Sequence, residues 1–422
     1  MKNLIKLLKA ESGISAYRVS ERKTESYELF FVHRKLETVR ATDTAACSVT
    51  VYVDHDGCRG DSSFAYHASM TEDECKEKIK AAVERAKLVS NQPYELPEGG
   101  EYERALKSNL DSYEPEKLGA MIADAVYAAD NAEGGSINAL EIFIYKDTLT
   151  VVNSRGVHKT QSGARVMIEA IPTFTDEKQS VELYEDYRFT EFDAAKITSE
   201  IAEKMKEVKD RVTAQKPQVP LTVNVVLRPH EIASLIGELA YDLNYQSAYM
   251  HSNLYKIGDD LQPGDGADKI TVTMMSKVKG SERSAYFDDD GLDLTDTVII
   301  KDGVVCGNFG PSRFGQYLGV EKPTGSLRCE KLEAGTLDKI DGAYLECVSM
   351  SGIQLDLYND YIGGEIRLAY YHDGEKTVPV TGITMSGKLS EVLSSLRLSS
   401  KTDVSGAYEG PVYLLMKDMT VL

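Results

Sequence analysis

The 422-residue sequence predicts an α+β fold: an N-terminal duplicated helix–antiparallel sheet–helix domain, followed by a mostly β C-terminal domain folded as a barrel or a sandwich. Three observations predict it. The order helix, strands, helix occurs twice before residue 216, two prolines then interrupt the chain, and short strands separated by turn residues dominate from residue 221 onward. A chain of this length can form two or three domains, each with its own hydrophobic core.

The first predicted repeat covers residues 1–90. It begins with a short amphipathic helix over residues 2–10, and strands are predicted where β-branched and aromatic residues cluster, at Tyr27–Val32, Ser48–Val53 and Phe64–His67. Thr71 and Glu74 have the spacing of a capping box, in which each side chain accepts a hydrogen bond from the other residue's backbone. This pair predicts a second helix that runs to about Leu88.

The second predicted repeat covers residues 114–214 and has the same order of elements. A helix is predicted over Pro115–Asp130, because proline is suited to a first turn, and a charged helix is predicted near Glu191–Thr213. The strands between them are predicted at Leu140–Tyr145, Thr148–Val152 and Ala164–Ile171. The repeated order indicates an internal duplication of structure, although few residue identities accompany it.

The domain boundary is predicted in the segment Gln215–Pro220, since its two prolines forbid a continuous helix. The predicted domains are therefore residues 1–216 and 217–422. In the second domain, helices are expected only near residues 230–242 and at Ser390–Arg397. The remainder is predicted as short strands joined by turns, such as those at Asp290-Gly291 and Asp302-Gly303.

Composition and charge exclude several functions. The net charge of −19 repels phosphate backbones, so direct nucleic-acid binding is unfavourable. The six cysteines contain no C-x-x-C pair, which is typical of free thiols in a reducing compartment. No run reaches the roughly 18 apolar residues that a membrane span requires, and Lys6 and Lys9 interrupt any signal-peptide core. We therefore expect a cytoplasmic protein that binds neither nucleic acid nor membrane.

The most informative segment is the predicted helix that begins Pro229-His230-Glu231. A zinc-peptidase helix carries two histidine ligands and a glutamate that takes a proton from metal-bound water. Here only the first His-Glu pair is present, and Leu235 lies on the apolar stripe that faces the core. We therefore expect His230 on the surface, Glu231 and Glu238 as solvated carboxylates, and no metal or other cofactor in this chain.

A zinc site that combines His230 with His251 and a carboxylate is the alternative. These two histidines share the helical part of the second domain, but the sequence supplies no geometry that would bring them together. The seven histidines of the chain form no local ligand pattern. The alternative therefore requires ligands that are distant in sequence.

Two loops are candidates for substrate contact. The first joins two predicted strands, and its residues Asn153 and Gly156 suit positive φ, so it is predicted as a turn first and a substrate contact through Asn153 and Arg155 second. The second contains Asp289 and Asp290. It lacks the alternating ligand spacing of a calcium loop and is predicted as a hairpin turn whose two aspartates are candidate substrate-binding residues.

Several segments together resemble the TldD/PmbA family, whose members were once called modulators of DNA gyrase and are understood as metallopeptidases. The resemblance covers nearly the whole chain. It is carried by the order and spacing of five short segments, Asn153–Gly156, Phe287–Gly291, Val298–Ile300, Gly303–Cys306 and Val378–Gly387.

The resemblance also distinguishes two branches of that family. The catalytic, TldD-like branch has H-E-x-x-x-H on a helix and a cysteine ligand in a late glycine-rich segment. At the corresponding positions this sequence has His230, Glu231 and then Leu235, and the segment Ser405–Pro411 contains no cysteine. The chain therefore resembles the PmbA/TldE-like branch, which implies a non-catalytic half of a heterodimer with a zinc-binding, TldD-like subunit.

The leading hypothesis is a PmbA/TldE-like subunit of a TldD/TldE-type metallopeptidase complex, which binds and encloses unfolded peptides during proteolysis or processing without hydrolysing them. One alternative is a divergent metal-dependent peptidase that is active alone and recruits His230, Glu231 and distant residues such as His251 or Asp288–Asp290. Another is a homodimeric peptide-binding module without proteolysis, which pairs extended peptides with a sheet edge.

Overall fold

The computed structural model describes residues 1–130 and 134–422. Within these residues the helices are α1 (Lys2–Ala10), α2 (Glu72–Ala86), α3 (Pro115–Ala128), α4 (Ala194–Thr213), α5 (Pro229–Asp242), α6 (Tyr245–Tyr249), α7 (Ser312–Tyr317) and α8 (Leu389–Leu393). The strands of the first half are β1 (Ala16–Val32), β2 (Lys35–His55), β3 (Cys58–Tyr66), β4 (Glu101–Ala105), β5 (Gly135–Asn153), β6 (His158–Thr175), β7 (Ser180–Glu182) and β8 (Glu185–Phe189).

The second half of the chain contains shorter strands. They are β9 (Leu221–Leu227), β10 (Val272–Met275), β11 (Thr297–Lys301), β12 (Val304–Val305), β13 (Cys329–Leu332), β14 (Tyr344–Met350), β15 (Gln354–Asp356), β16 (Tyr361–His372), β17 (Thr377–Val380), β18 (Ile383–Lys388), β19 (Arg397–Leu398), β20 (Thr402–Ser405), β21 (Tyr408–Pro411) and β22 (Leu414–Val421). The predicted α+β fold class is confirmed.

The N-terminal sheet is built around the antiparallel pair β1 and β5, which runs from Arg18 opposite Asn153 to Val32 opposite Ala139. β2 lies outside β1, and β6 lies outside β5. Helices α1 and α2 pack on the β1–β3 side, and α3 and α4 pack on the β5–β6 side, each pair with its own hydrophobic cluster. The structure therefore has the duplicated helix–strands–helix order, with β4 as one strand that pairs in parallel.

The predicted capping box is present, because Thr71 Oγ1 accepts from the backbone of Glu74 and the Glu74 carboxylate accepts from the backbone of Thr71. The predicted strand lengths were wrong. β1 begins at Ala16 instead of Tyr27, and β5 continues through Lys146 and Asp147, where a break was expected. These polar stretches remain strands because their backbone groups pair with strands on both sides. This backbone pairing does not depend on apolar side chains.

The outer edge of β2 is open over much of its length. β3 pairs only with residues Cys47–His55 of β2. Over Lys35–Ala46, β2 pairs with β1 alone among the strands of the described chain. This stretch is therefore an unpaired sheet edge of the kind that accepts additional strands.

The C-terminal half contains a closed barrel and a second sheet. β14, β9, β22, β18 and β16 follow one another in the barrel, and pairing of β16 with β14 closes it. The second sheet has the order β12-β11-β10-β13-β21-β20. Helix α5 follows β9, and its apolar side joins the hydrophobic cluster shared by the barrel and this sheet. The N-terminal end of α5, with His230 and Glu231, is thereby fixed in the fold.

The helices of this half required three corrections. α6 and α7 were not predicted, because each is a single short segment without a periodic apolar pattern. The late helix ends at Leu393 instead of Arg397, since Arg397 pairs with β22 as part of β19 and its guanidinium binds Asp268 at 3.1 Å. Among the described helices, none is both long and apolar enough to cross a membrane.

Candidate functional site

The N-terminal turn of α5 places the His-Glu pair at the surface of the second domain. The side chain of His230 is 83% exposed, whereas that of Glu231 is 8% exposed. His230 Nδ1 lies 3.5 Å from Glu231 Oε1, and this interaction raises the pKa of His230. A carboxylate beside an exposed imidazole forms an ion pair when the imidazole is protonated, and the two side chains supply at most two of the ligands that zinc requires.

The prediction that Glu231 is solvated was wrong. Glu231 is buried because α5 packs its first turn toward the barrel, where Cys347 of β14 lies close enough to respond to the glutamate charge. Burial first, and then the charge of Glu231, raise the pKa of the Cys347 thiol. Glu238 is exposed, as expected.

Leu235 occupies the core, as the helical periodicity predicted. It is 1% exposed and packs in the same cluster as Ile232, Ile236 and Leu239. The turn Ser405–Ala407 joins β20 and β21, the two strands that pack against α5. The structure therefore brings the late segment next to the helix, but the two places that the resemblance assigns to metal ligands hold Leu235 and a turn without cysteine.

Zinc is the metal that the family resemblance implies, and the side chains here do not fit it. Across residues 1–130 and 134–422, no group of three or more His, Cys, Asp or Glu side chains is arranged to hold a metal ion. His251 therefore does not form such a group with His230, and neither does the Asp288–Asp290 run. We derive no catalytic step through a metal in this chain.

A partly buried polar cluster on α4 and β8 lies near the first turn of α5. Lys204 Nζ lies 2.8 Å from Glu207 Oε2 and 3.2 Å from Glu185 Oε1. The positive charge of Lys204 and the negative charge of Glu185 both affect the pKa of His230, which shows that the cluster is close to it. The single ammonium group of Lys204 thus already forms ion pairs with two carboxylates on this side of the helix.

The loop Asn153–Gly156 is a turn, as predicted, and its polar side chains are used within the chain. Asn153 is buried; its Nδ2 donates to the carbonyl of Pro97 at 2.8 Å, and its Oδ1 accepts from the backbone of Arg155 and Val157. Arg155 forms ion pairs with Glu95 and Glu98. Both candidate substrate contacts therefore hold the segment before β4 against the end of β5.

The loop Tyr286–Leu294 docks the second half of the chain on the N-terminal sheet. Phe287 is 1% exposed and packs against Leu149, Val151 and Val157 of the β5–β6 region. The buried Lys159 donates to the carbonyl of Gly291 at 2.9 Å and lies 3.0 Å from Asp293 Oδ1. We call Tyr286–Leu294 the docking loop.

The three consecutive aspartates of the docking loop have different environments. Asp288 is buried, which raises its pKa, and it accepts hydrogen bonds from the backbone of Asp290, Leu292 and Ser326. Asp290 forms an ion pair with Arg18. Asp289 lies 2.9 Å from Arg328 Nη2 and 3.8 Å from Arg22 Nη2. The turn is confirmed, and Asp289 and Asp290 meet arginines of the protein itself.

Beside the docking loop, a cleft of about 880 Å³ separates the N-terminal sheet from the segment 277–289. Eight cationic and five anionic side chains line it, although the whole chain has a net charge of −19. The cations are Arg22, Lys107, Arg165, Arg188, Lys277, Lys279, Arg283 and Arg328. The cleft is thus a local region of positive charge on an acidic protein.

Glu330 on β13 is a half-buried titratable group near this cleft. Burial raises its pKa to about 8, and the positive charge of Arg283, which lines the cleft, opposes part of that rise. Glu330 lies opposite Met274 on β10 and beside Tyr408 on β21. Nothing in the local sequence indicated this environment, because it depends on the pairing of three strands.

Sequence reasoning also missed Lys159, Arg18 and the cationic cleft. Their partners lie more than one hundred residues away in sequence, so no local spacing signals them. The only local hint was the aspartate run of the docking loop, which supplies the acidic partners.

Comparisons with known proteins agree on one family. Residues 220–422 match the model of the PmbA/TldA metallopeptidase C-terminal domain. Among curated proteins, none matches the chain. Among solved structures, the fold is similar to that of TldE from Thermococcus kodakarensis, at 15% identity, a TM-score of 0.80 and 99% coverage of both chains.

Two further structures are similar over the full length. One is a proposed modulator of a DNA gyrase from Thermotoga maritima, at 16% identity and a TM-score of 0.78, covering 100% of this chain and 99% of that chain. The other is a proposed modulator of DNA gyrase from Bacteroides thetaiotaomicron, at 16% identity and a TM-score of 0.81, covering 100% of this chain and 98% of that chain. The match identifies residues 220–422 as the C-terminal metallopeptidase domain of the PmbA/TldD family, and the fold of the full chain is the one found in these three structures.

Proposed function

We propose that this chain is the PmbA/TldE-like, non-catalytic subunit of a cytoplasmic TldD/TldE-type metallopeptidase complex, in which it binds and helps to enclose unfolded peptides. The observation that supports this most is the buried Leu235, which stands where the catalytic branch has a histidine. An aliphatic side chain in the core has no lone pair to offer a metal, and replacing it requires repacking of α5.

The surroundings of the helix support the same role. The late turn Ser405–Ala407 next to α5 has no thiol, and the nearby carboxylates Glu185 and Glu207 already form ion pairs with Lys204. The proposal that zinc and hydrolysis belong to a TldD-like partner rests on these features. The six cysteines are all free thiols, which supports the proposed cytoplasmic location.

The test compares the purified chain alone with the chain co-expressed with a TldD-like subunit that carries H-E-x-x-x-H. We expect no zinc and no hydrolysis of an unfolded peptide from the chain alone, and both from the complex. Elemental mass spectrometry measures the metal, and peptide cleavage is followed with and without chelator.

A matched control is the His230→Ala variant of this chain in the same complex. If the chain is non-catalytic, its zinc content and cleavage rate match those of the unmodified complex, because the His230 ring is largely solvent-exposed. About one zinc per isolated chain, lost in His230→Ala, would instead support the autonomous peptidase and overturn the proposal.

A further inference from the structure

The cleft beside the docking loop contains three cations without an acidic partner. Five of its eight cations lie within ion-pair distance of a carboxylate: Arg22 and Arg328 share Asp289, Arg165 lies beside Asp147, Arg188 beside Asp186 and Glu282, and Lys279 beside Glu191. Within the described residues, Lys107, Lys277 and Arg283 have no carboxylate within ion-pair distance, and all three are exposed. Free cations that share one concave surface form a site for an external anion.

The loop that carries two of these cations is held against the N-terminal sheet by two kinds of contact. Glu282 lies 3.7 Å from Arg165 Nη1 and 3.4 Å from Arg188 Nη1, both on the N-terminal sheet. The backbone of Thr190 donates to the carbonyl of Gly280 at 2.9 Å. The backbone that carries Lys277 and Arg283 is therefore held before any ligand arrives, which reduces the backbone entropy lost on binding.

The floor of the cleft has an unpaired stretch of sheet edge. On the side of β6 away from β5, β4 pairs with His158–Ser162 and β8 pairs with Val166–Ala170. In the described chain, no strand occupies that side along Gly163–Arg165, and these residues line the cleft. The gap is three residues long, and the chain segments that leave β4 and β8 meet beside it, where Ser108 Oγ donates to the carbonyl of Thr190. A peptide strand that pairs in this gap is therefore limited to a few residues.

The direction of the backbone groups in this gap is known from the neighbouring residue. The carbonyl of Ser162 points to the cleft side, since it accepts from the backbone of Leu106 at 2.8 Å. Backbone groups two residues apart on a strand point the same way, so the N–H and C=O of Ala164 also face the cleft. They offer one donor and one acceptor to an extended chain.

We propose that this cleft binds an extended acidic peptide segment, whose backbone pairs with Ala164 and whose carboxylates meet Lys107, Lys277 and Arg283. Backbone pairing with a sheet edge selects an extended peptide, and the three cations select its carboxylates. A long phosphate backbone is disfavoured, because beyond the cleft it meets a protein of net charge −19. The inference deepens the proposed function by naming the class of peptide, and it concerns a site apart from α5.

The test is fluorescence anisotropy with the full-length chain and a labelled peptide that has three consecutive glutamates between glycine and serine residues. The comparison peptide has glutamine in place of each glutamate. We expect the acidic peptide to bind about tenfold or more tightly than the neutral one, since hydrogen bonds to charged groups are the stronger ones. Its affinity should fall as salt is added.

The variant that tests the site is Lys277→Gln with Arg283→Gln, for which we expect about a tenfold loss of affinity. Both side chains are exposed, so the fold is retained, and thermal unfolding verifies this. The matched control is Lys376→Gln with Lys417→Gln, which removes two exposed positive charges outside the cleft and should leave binding unchanged.

Three outcomes would overturn the proposal. The first is equal binding of the acidic and neutral peptides. The second is an equal loss of affinity in the cleft variant and the control variant, which would indicate a general charge effect. The third is displacement of the peptide by inorganic phosphate or an oligonucleotide at lower concentrations than by unlabelled peptide. Zinc-dependent hydrolysis by the isolated chain would refute the proposed function and leave this binding result intact, so the two failures are distinguishable.

Discussion

The first turn of α5 and the cleft beside the docking loop are both rich in charge, but they differ in how those charges are balanced. At α5, His230 has Glu231, and Lys204 has Glu185 and Glu207. In the cleft, Lys107, Lys277 and Arg283 have no carboxylate within ion-pair distance among the described residues. A cluster whose charges are already paired stabilises the fold, whereas unpaired charges in a concave site are available to a ligand. The first turn of α5, which carries the His-Glu motif, therefore has fewer charges available to a ligand than the cleft has.

The largest expected effect tests the wall that supports the cleft. Lys159→Met removes the buried ammonium from the carbonyl of Gly291 and from Asp293, and leaves that carbonyl without its donor. We expect the free energy of unfolding to fall by about 3 kcal/mol, as measured by urea denaturation. The control Lys23→Met changes a side chain that is 57% exposed on β1 and should cost little. A loss of unfolding free energy in Lys159→Met that is no larger than that in Lys23→Met would mean that the docking loop does not depend on Lys159.

A smaller effect is expected at α5. Leu235→His introduces the histidine of the catalytic branch into the core, where its ring nitrogens find no partner, at a cost of about 2 kcal/mol. We expect no stoichiometric zinc, since the neighbouring turn Ser405–Ala407 still lacks a thiol. Urea denaturation and elemental mass spectrometry measure the two results, with Leu235→Met as the apolar control. Stoichiometric zinc in Leu235→His would show that one substitution separates this region from a metal site.

The smallest expected effect is a pH dependence of the free energy of unfolding, which comes from Glu330 near the cleft. The pKa of Glu330 is raised from 4.5 to about 8, so its folded-state carboxyl holds a proton that the unfolded chain releases above pH 4.5. The contribution of the protonated Glu330 carboxyl to the free energy of unfolding is complete below pH 4.5 and is lost as pH rises through 8. Raising the pH from 6 to 7 therefore lowers the free energy of unfolding by about 1 kcal/mol.

Glu330→Gln should remove this pH dependence. Thermal unfolding at both pH values, compared between the protein and the variant, isolates the contribution of Glu330 from that of other groups. Equal pH dependence in the two proteins would mean that the carboxyl titrates near its ordinary pKa. Glu333→Gln, one residue beyond the end of β13 and exposed, is the control.

The fold was predictable where local chemistry determines it. The capping box of Thr71 and Glu74, the proline at the start of α3 and the apolar stripe of α5 each lie within one element. The extent of β1 was not predictable, because its polar half is held by backbone pairing with β2 and β5. Hydrophobic patterns detect a strand only where it covers the core.

The candidate sites followed the same rule. The sequence indicated that Leu235 would be buried, and it identified both turns that contain Asn153 and Asp289. It gave no sign that Glu231 is buried or that Arg283 and Lys277 share one cleft with Lys107. Those facts depend on how distant elements pack, which residue spacing within one segment does not encode.

The open edge of β2 also affects how copies of the chain meet at high concentration. Its charges alternate in sign along Lys35, Glu37, Arg40 and Asp43. If two such edges stacked parallel and in register, as in a fibril, each charge would face its own kind, and like charges directly opposed are destabilising. An antiparallel approach centred between Thr38 and Val39 would place Glu37 opposite Arg40 instead. The order of charges therefore disfavours parallel stacking of many copies and is compatible with antiparallel pairing of two copies.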